Sequence, residues 1–441
     1  MIDELNIDFK WMGGPQGFAF NQAFAAEIGI RLNDQWMTEL EELESRTTMT
    51  HLRGCAHTLA RWLAGNWWRL RCEPETRDAR NDPDWRMVHS VANAGGGFAW
   101  PNVVFASDGE SVAVASFPRL KAKPHEPLRY LNAVYGRLTA VEFEQKIDAF
   151  IDAVVSRHGA FAIMDDDLPQ LWAEVKGERQ DPKASHWRRL EALCGYDPDE
   201  APEALIEALI DDKFNLGSRA LEEIAAQGRH STPAVISSIE NLASAKGRPR
   251  NGGFHCRPEL LKKRPKYKKA SRPWERAAEL ARAARAAWNL GNGPISDSDL
   301  SDLLKISKSA FKDRSEKANT PIPLALRTND SGANFYFNSS WGTSRRFAAS
   351  RLLGHWLERS GNTDRLIPAT DVKTADQQFQ RAFAQEFLCP FSSLRDRLPL
   401  ELPTSEDIED AAAHFHVSPL VVRTLLVNRG EMDRESLTWA A

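Results

Sequence analysis

The chain has 441 residues, a formal net charge of −4, 42% hydrophobic and 27% charged residues. This is enough chain for about two or three domains, each with its own core, in a composition ordinary for globular proteins. The weak negative charge excludes a global attraction to nucleic acid, and no apolar run approaches the ~20 residues that span a bilayer.

The opening MIDELNIDFKW is acidic and lacks an apolar segment, so no secretory leader is expected. Five cysteines, at 55, 72, 194, 256 and 389, make no C-x-x-C pair. An odd, widely spaced set points to free thiols in a reducing cytoplasm.

Residues 1–120 read as a Trp-rich α/β unit, with tryptophans at 11, 36, 62, 67, 68, 85 and 100. A helix is predicted over 48–70, from the stripe Leu52, Leu59, Trp62, Leu63 and Trp67. Strands are predicted over 85–91, 102–106 and 111–117, the last two joined by a hairpin at Ser107-Asp108-Gly109. Asn93 to Gly97 lacks the Gly-Lys-Ser/Thr ending of a phosphate loop and reads as a turn. The aromatic cluster reads as core, with a stacking surface as the alternative.

Residues 121–245 read as helical, with a periodic stripe Phe143, Ile147, Phe150, Ile151 and Val154 and further helices at 168–175, 186–193, 202–211, 218–226 and 233–245. The run Asp165-Asp166-Asp167 lacks the alternation of a calcium loop and reads as a helix N-terminus.

Residues 246–272 form a basic linker, within a Pro-, Gly-, Lys- and Arg-rich stretch that runs to residue 276 and has only Glu259 and Glu275 against it. Lys262, Lys263, Arg264, Lys266, Lys268 and Lys269 are candidate phosphate contacts, with Phe254, Tyr267 and Trp274 interleaved for stacking. The alternative is a solvated linker that docks on the protein's own acidic faces. His255 and Cys256 are two ligands, short of a metal site.

From 273 to 400 the pattern gives helices at 275–288 and 297–304, then strands at 322–326 and 333–337 around a turn at 328–332. Two amphipathic helices follow. Phe347, Leu352, Leu353, Trp356 and Leu357 mark the first; Phe379, Phe383, Phe387 and Leu388 mark the second, which stops at Pro390. Helix pairs of this kind carry zinc in zincins, where His-Glu-x-x-His sets two ligands and a base on one helix. Here the window is Arg351-Leu352-Leu353-Gly354-His355. A guanidinium has no lone pair to offer a metal, and a Leu cannot take a proton from water.

The runs RRFAASRLLGHWL and QQFQRAFAQEFLCP resemble the ImmA/IrrE family of zinc-dependent endopeptidases. Arg346, Phe347, Gly354 and His355 match the first family motif; Phe383, Ala384, Glu386, Leu388 and Pro390 match the second. The resemblance covers about residues 270–435 and implies a zincin-like domain. It also implies that Arg351 stands for the first His ligand, Leu352 for the catalytic Glu and Gln377 for the third ligand. The expected function is therefore a non-catalytic regulator or sensor that binds a protein partner. The resemblance points to helix-turn-helix repressors as partners, and to stress response or defence against phage and mobile elements as the setting. A zinc peptidase holding its metal through His355 and a rearranged partner such as Glu386 is the alternative, as is a nucleic-acid-binding protein. We further expect Arg351 to pair with Glu386 or Asp376.

Residues 401–441 resemble a helix-turn-helix, entered at Val417-Ser418 with Val422 and Leu426 inward. Only Arg423, Asn428 and Arg429 suit DNA on its second helix, and Glu406, Asp407, Glu409 and Asp410 make the first acidic. Packing beside the preceding domain is expected instead. His414 and His416 share no helix face. The whole reads as an α+β protein.

Overall fold

A computed structural model describes residues 3–12, 23–76, 79–118, 127–160, 167–244, 253–267, 272–313, 320–328, 331–359, 364–399 and 402–433. The fold is α+β, with small antiparallel sheets and many helices. It divides into two compact units: Met1–Glu207 with Val372–Thr374, and Ala208–Asp371 with Ala375–Ala441. No described helix is long and apolar enough to cross a membrane.

In the first unit, β1 (Leu5–Trp11) pairs with β2 (Ala25–Leu32), which also pairs with β3 (Gln35–Trp36) and β6 (Leu52–Cys55). A second sheet joins β4 (Leu40–Glu42) to β5 (Thr47–Met49) and β9 (Leu128–Tyr130). A third runs β10 (Tyr135–Thr139), β8 (Ser111–Ser116), β7 (Val103–Ser107). The helices are α1 (Ala56–Gly65), α2 (Trp67–Cys72), α3 (Pro83–His89), α4 (Ala140–Ala160), α5 (Leu168–Gln180) and α6 (Pro182–Leu193).

Two expectations are corrected here. The helix over 48–70 begins only at Ala56, because β5 and β6 claim its first residues for sheet pairing. At Gly54 the missing side chain leaves room for the Trp100 ring, 3.2 Å from where a Cβ would sit. The strand over 85–91 is instead α3, started by the Asp82 carboxylate accepting the Asp84 N–H, with Pro83 at the first helical position. The β7–β8 hairpin forms as expected. The Asp108 carboxylate accepts the N–H groups of Glu110 and Ser111, and Gly109 takes φ +92°. The α4 stripe of Phe143, Ile147, Phe150, Ile151 and Val154 is buried, as are Trp62, Trp67, Trp68, Trp85 and Trp100. These rings are core.

A buried ionic cluster sits among them. Arg69 Nε lies 2.7 Å from Glu73 Oε2, and its two terminal nitrogens reach Asp84 at 2.9 Å and Asp197 at 3.2 Å. His89 Nε2 lies 2.9 Å from the same Glu73 oxygen, and its Nδ1 lies 2.9 Å from the Phe105 carbonyl. The Trp85 ring stacks on His89 with centroids 4.2 Å apart. Burial opposes ionisation of Glu73, but contact with His89 and then Arg69 outweighs it and holds the carboxyl below its ordinary range.

After α7 (Glu203–Asp211), the second unit carries α8 (Ser218–Ala225) and α9 (Thr232–Ser244). Its sheet has the order β11 (Phe254–Cys256), β13 (Ala333–Tyr336), β12 (Leu324–Arg327), β14 (Leu366–Pro368), all antiparallel. The strands expected at 322–326 and 333–337 are β12 and β13. Asn329 and Asp330 of their turn, like Asp165 and Asp166 of the acidic run, lie outside the described residues. The remaining helices are α10 (Pro273–Ala287), α11 (Asp297–Leu304), α12 (Gly342–Glu358), α13 (Ala375–Leu388), α14 (Phe391–Arg397), α15 (Ser405–Phe415) and α16 (Pro419–Asn428).

α13 is the centre of this unit and packs against α10 and α12. α10 approaches closely through Ala277, Ala281 and Ala284, all fully buried. α12 approaches through Gly354: a Cβ there would lie 2.6 Å from the ring of Phe383. α15 and α16 form the helix-turn-helix-like pair, with His416 in the left-handed conformation at the turn. Phe415, Val422 and Leu426 belong to the same buried cluster as Phe383 and Phe387, so the tail shares the core of this unit.

Candidate functional site

The α12–α13 interface is built from residues that the 3.6-residue period brings to facing surfaces. α12 contributes Arg351 and, one turn later, His355. α13 contributes Gln377 and, three residues later, Gln380. The end of β14 and the residues after it lie alongside, with the carbonyls of Pro368 and Thr370 turned towards these side chains.

Arg351 Nη2 donates to Gln377 Oε1 at 2.7 Å and to the Thr370 carbonyl. Gln377 Oε1 also accepts the Thr370 N–H at 2.8 Å, and its Nε2 donates to Pro368 O at 3.1 Å. Gln380 Nε2 donates to the same carbonyl at 3.0 Å and lies 3.5 Å from His355 Nδ1. Arg381 Nη1 adds a bond to Thr370 O at 3.2 Å. Two guanidiniums and two amides thus tie both helices to the end of β14 and the residues that follow it.

Burial pushes the Arg351 guanidinium down to about 9, helped by neighbouring Arg381 and opposed by Asp371 and Glu223. At neutral pH it keeps its charge. Burial also lowers His355, to about 4, against the pull of Asp376 and with the help of Arg359, Arg327 and Arg219. The residue as a whole is half-buried. The imidazole is neutral at pH 7.

The expected pairing of Arg351 with Glu386 or Asp376 does not form. Asp376 is held by Arg219 from α8, through bonds of 2.8 and 3.2 Å, and by Arg359 at 2.9 Å. Glu386 lies nine residues beyond Gln377, about 13 Å along α13. There it meets Arg282 of α10 at 3.2 Å and Arg429 at 3.7 Å. The Arg351 charge is met by neutral oxygens instead.

These residues do not fit zinc. Arg351 is a cation in place of a donor, and Leu352 is fully buried in the core. Both ends of the Gln377 amide are committed, leaving His355 as the one imidazole of the helix pair. Among the described residues no group of three His, Cys, Asp or Glu is placed to hold a metal ion. Within the helix pair, the hydrogen-bond partner of His355 is the Gln380 amide and not a nucleophile. The arrangement is suited to cross-linking the two helices.

Sequence reading missed Gln380, the Pro368 and Thr370 carbonyls, and the Arg219–Asp376–Arg359 clamp. One signal was available for Gln380. Gln377 and Gln380 are two amides three apart, and so neighbours on one helix face, in a helix whose other strong signals are Phe379, Phe383 and Phe387; both amides are fully buried.

The basic stretch lies within the second unit. Its Arg264 Nη1 donates to Leu357 O at 3.4 Å and Glu358 O at 2.6 Å, the last carbonyls of α12. The Tyr267 hydroxyl donates to the Glu358 carboxylate at 3.0 Å. Phe254 packs on Phe337, and Trp274 is half-buried with the Arg272 guanidinium 5.5 Å from its ring centre. Lys262, Lys263 and Lys266 are exposed; Lys268 and Lys269 lie outside the described residues. Cys256 is buried within β11, and burial pushes its thiol up to about 12.

Compared with known proteins, the chain matches no family model, no curated protein and no solved structure.

Proposed function

We propose that this protein is a non-catalytic regulator or sensor, a pseudo-peptidase that works by binding a protein partner. The observation that carries the reading is the 2.7 Å bond from Arg351 to Gln377. It joins the two positions that correspond to metal ligands in the family the sequence resembles. A guanidinium with its partners fills the place between the helices that zinc would hold, and it activates no water. The close crossing at Gly354 and Phe383 and the packed tail support an intact scaffold. A helix-turn-helix regulator is the kind of partner the resemblance suggests, in stress response or phage defence.

Metal mass spectrometry on the purified full chain tests the reading, together with a survey of what co-purifies. The expected result is no stoichiometric zinc and a protein partner that stays intact. One tightly held zinc per chain, with cleavage of the partner abolished by chelator, would establish a peptidase instead. Restoring the ligands as Arg351→His, Leu352→Glu and Gln377→Glu together should create zinc binding.

A further inference from the structure

The chain fold brings a second basic segment beside the basic stretch. The N–H groups of Arg257 and Glu259 donate to the carbonyls of Leu304 and Leu303, each at 3.0 Å. Leu304 opens directly into Lys305, Lys308 and Lys312, and all three are exposed. From Arg257 the basic stretch continues to exposed Lys262, Lys263 and Lys266. The two ends of this track sit at the two ends of α12. Phe311 O lies 2.0 Å from where a Cβ of Gly342 would be, at the start of the helix, and Arg264 binds the carbonyls at its end. α12 has 17 residues, so the track is about 25 Å long.

We propose that this track binds the phosphate backbone of duplex nucleic acid. Six exposed lysines, with exposed Arg257 and Arg264 beside them, outnumber exposed Glu259 and Asp313 along the track; lysines are flexible point charges suited to phosphates and indifferent to base sequence. Over ~25 Å a duplex presents roughly 15 phosphates, so six lysines find partners without a shaped pocket. Of the acids along the track, Asp313 accepts the Gly342 N–H at 2.6 Å and Glu358 accepts the Tyr267 hydroxyl, while Glu259 is exposed. Near the track Phe254 lies against Phe337 and Tyr267 on Glu358, which leaves Trp341, at the start of α12, as the one largely exposed ring there among the described residues. This favours duplex over single strands. A membrane surface would need a cluster of apolar anchors, and the large apolar side chains exposed near the track among the described residues are Leu260 and Trp341, one on the basic stretch and one at the start of α12.

Fluorescence anisotropy of the full chain with a roughly 20-bp duplex, DNA and RNA in separate arms, tests this between about 50 and 200 mM salt. Binding should be tighter to duplex than to single strands, and its log–log salt slope should approach about −5. Lys305→Glu, Lys308→Glu and Lys312→Glu together, and separately Lys262→Glu, Lys263→Glu and Lys266→Glu, should each flatten the slope by about 3. The six side chains are exposed, so circular dichroism and melting should stay unchanged. No duplex binding at the lowest salt overturns the proposal. So does an unchanged slope in the 305/308/312 variant, or equal affinity for polyglutamate or phosphatidylserine vesicles.

Discussion

Arg351 and Gln377 are joined across α12 and α13 by a 2.7 Å hydrogen bond between a buried cation and a neutral amide. No carboxylate forms an ion pair with this guanidinium among the described residues. Its charge is balanced at longer range by Asp371 and Glu223, against the like charge of Arg381.

That arrangement separates size from charge. Arg351→Ala leaves a cavity and should cost about 2–4 kcal/mol. Arg351→Met fills the same space without a buried charge. Gln377 Oε1 keeps the Thr370 N–H and Thr370 O keeps Arg381, so Met should stay within about 1 kcal/mol of the parent. Urea midpoints of the two variants check this. Equal losses in both would mean that the charge itself holds the helices.

Gly354 is a packing residue. A methyl group there would meet the Phe383 ring at 2.6 Å. Ala is the better helix former by about 1 kcal/mol, yet Gly354→Ala should destabilise by about 1–3 kcal/mol, because the buried ring has to move. Phe383→Leu in the Gly354→Ala background should recover part of the loss, as read by a double-mutant cycle of melting temperatures.

His355 makes the second unit acid-sensitive. Its folded-state value of about 4 lies below the 6.5 of the free group. Between those values the unfolded chain holds one more proton than the folded one. Stability is complete above about pH 6.5 and falls as pH drops towards 4, by up to about 3 kcal/mol. Denaturant midpoints at pH 7 and pH 5 should show the fall, and His355→Asn should reduce it.

Glu73 acts in the same direction at lower pH in the first unit. Its carboxyl is held below the free value of 4.5, so its contribution is complete above that value. It is lost as pH falls through the lower folded value. Glu73→Gln should cost about 3–5 kcal/mol at neutral pH, since it leaves Arg69 and His89 without their shared partner. It should also flatten the acid limb of the stability profile. Tryptophan fluorescence follows both effects, because Trp85 stacks on His89.

The amino-acid pattern alone settled the elements whose burial is periodic. The α4 stripe, the β7–β8 hairpin, β12 and β13, the α12–α13 pair and the tail helices were legible, because side chains spaced at 2 or 3.6 residues reach one face whatever lies opposite. It also established that the 351–355 window lacks two of its chemical groups, since that depends on residue type and not on position in space. The short strands β5, β6, β11 and β14 were not legible. Each has three or four residues, and its identity comes from the partner strand that takes its hydrogen bonds. The partner of Arg351 was a tertiary decision too. Sequence offered two carboxylates, but Asp376 was claimed by Arg219, 157 residues away, and Glu386 was carried about 13 Å along α13 by the helical rise. Which oxygen a buried guanidinium meets depends on distances of an ångström or two, and only the packing of α8, α12, α13 and β14 sets those.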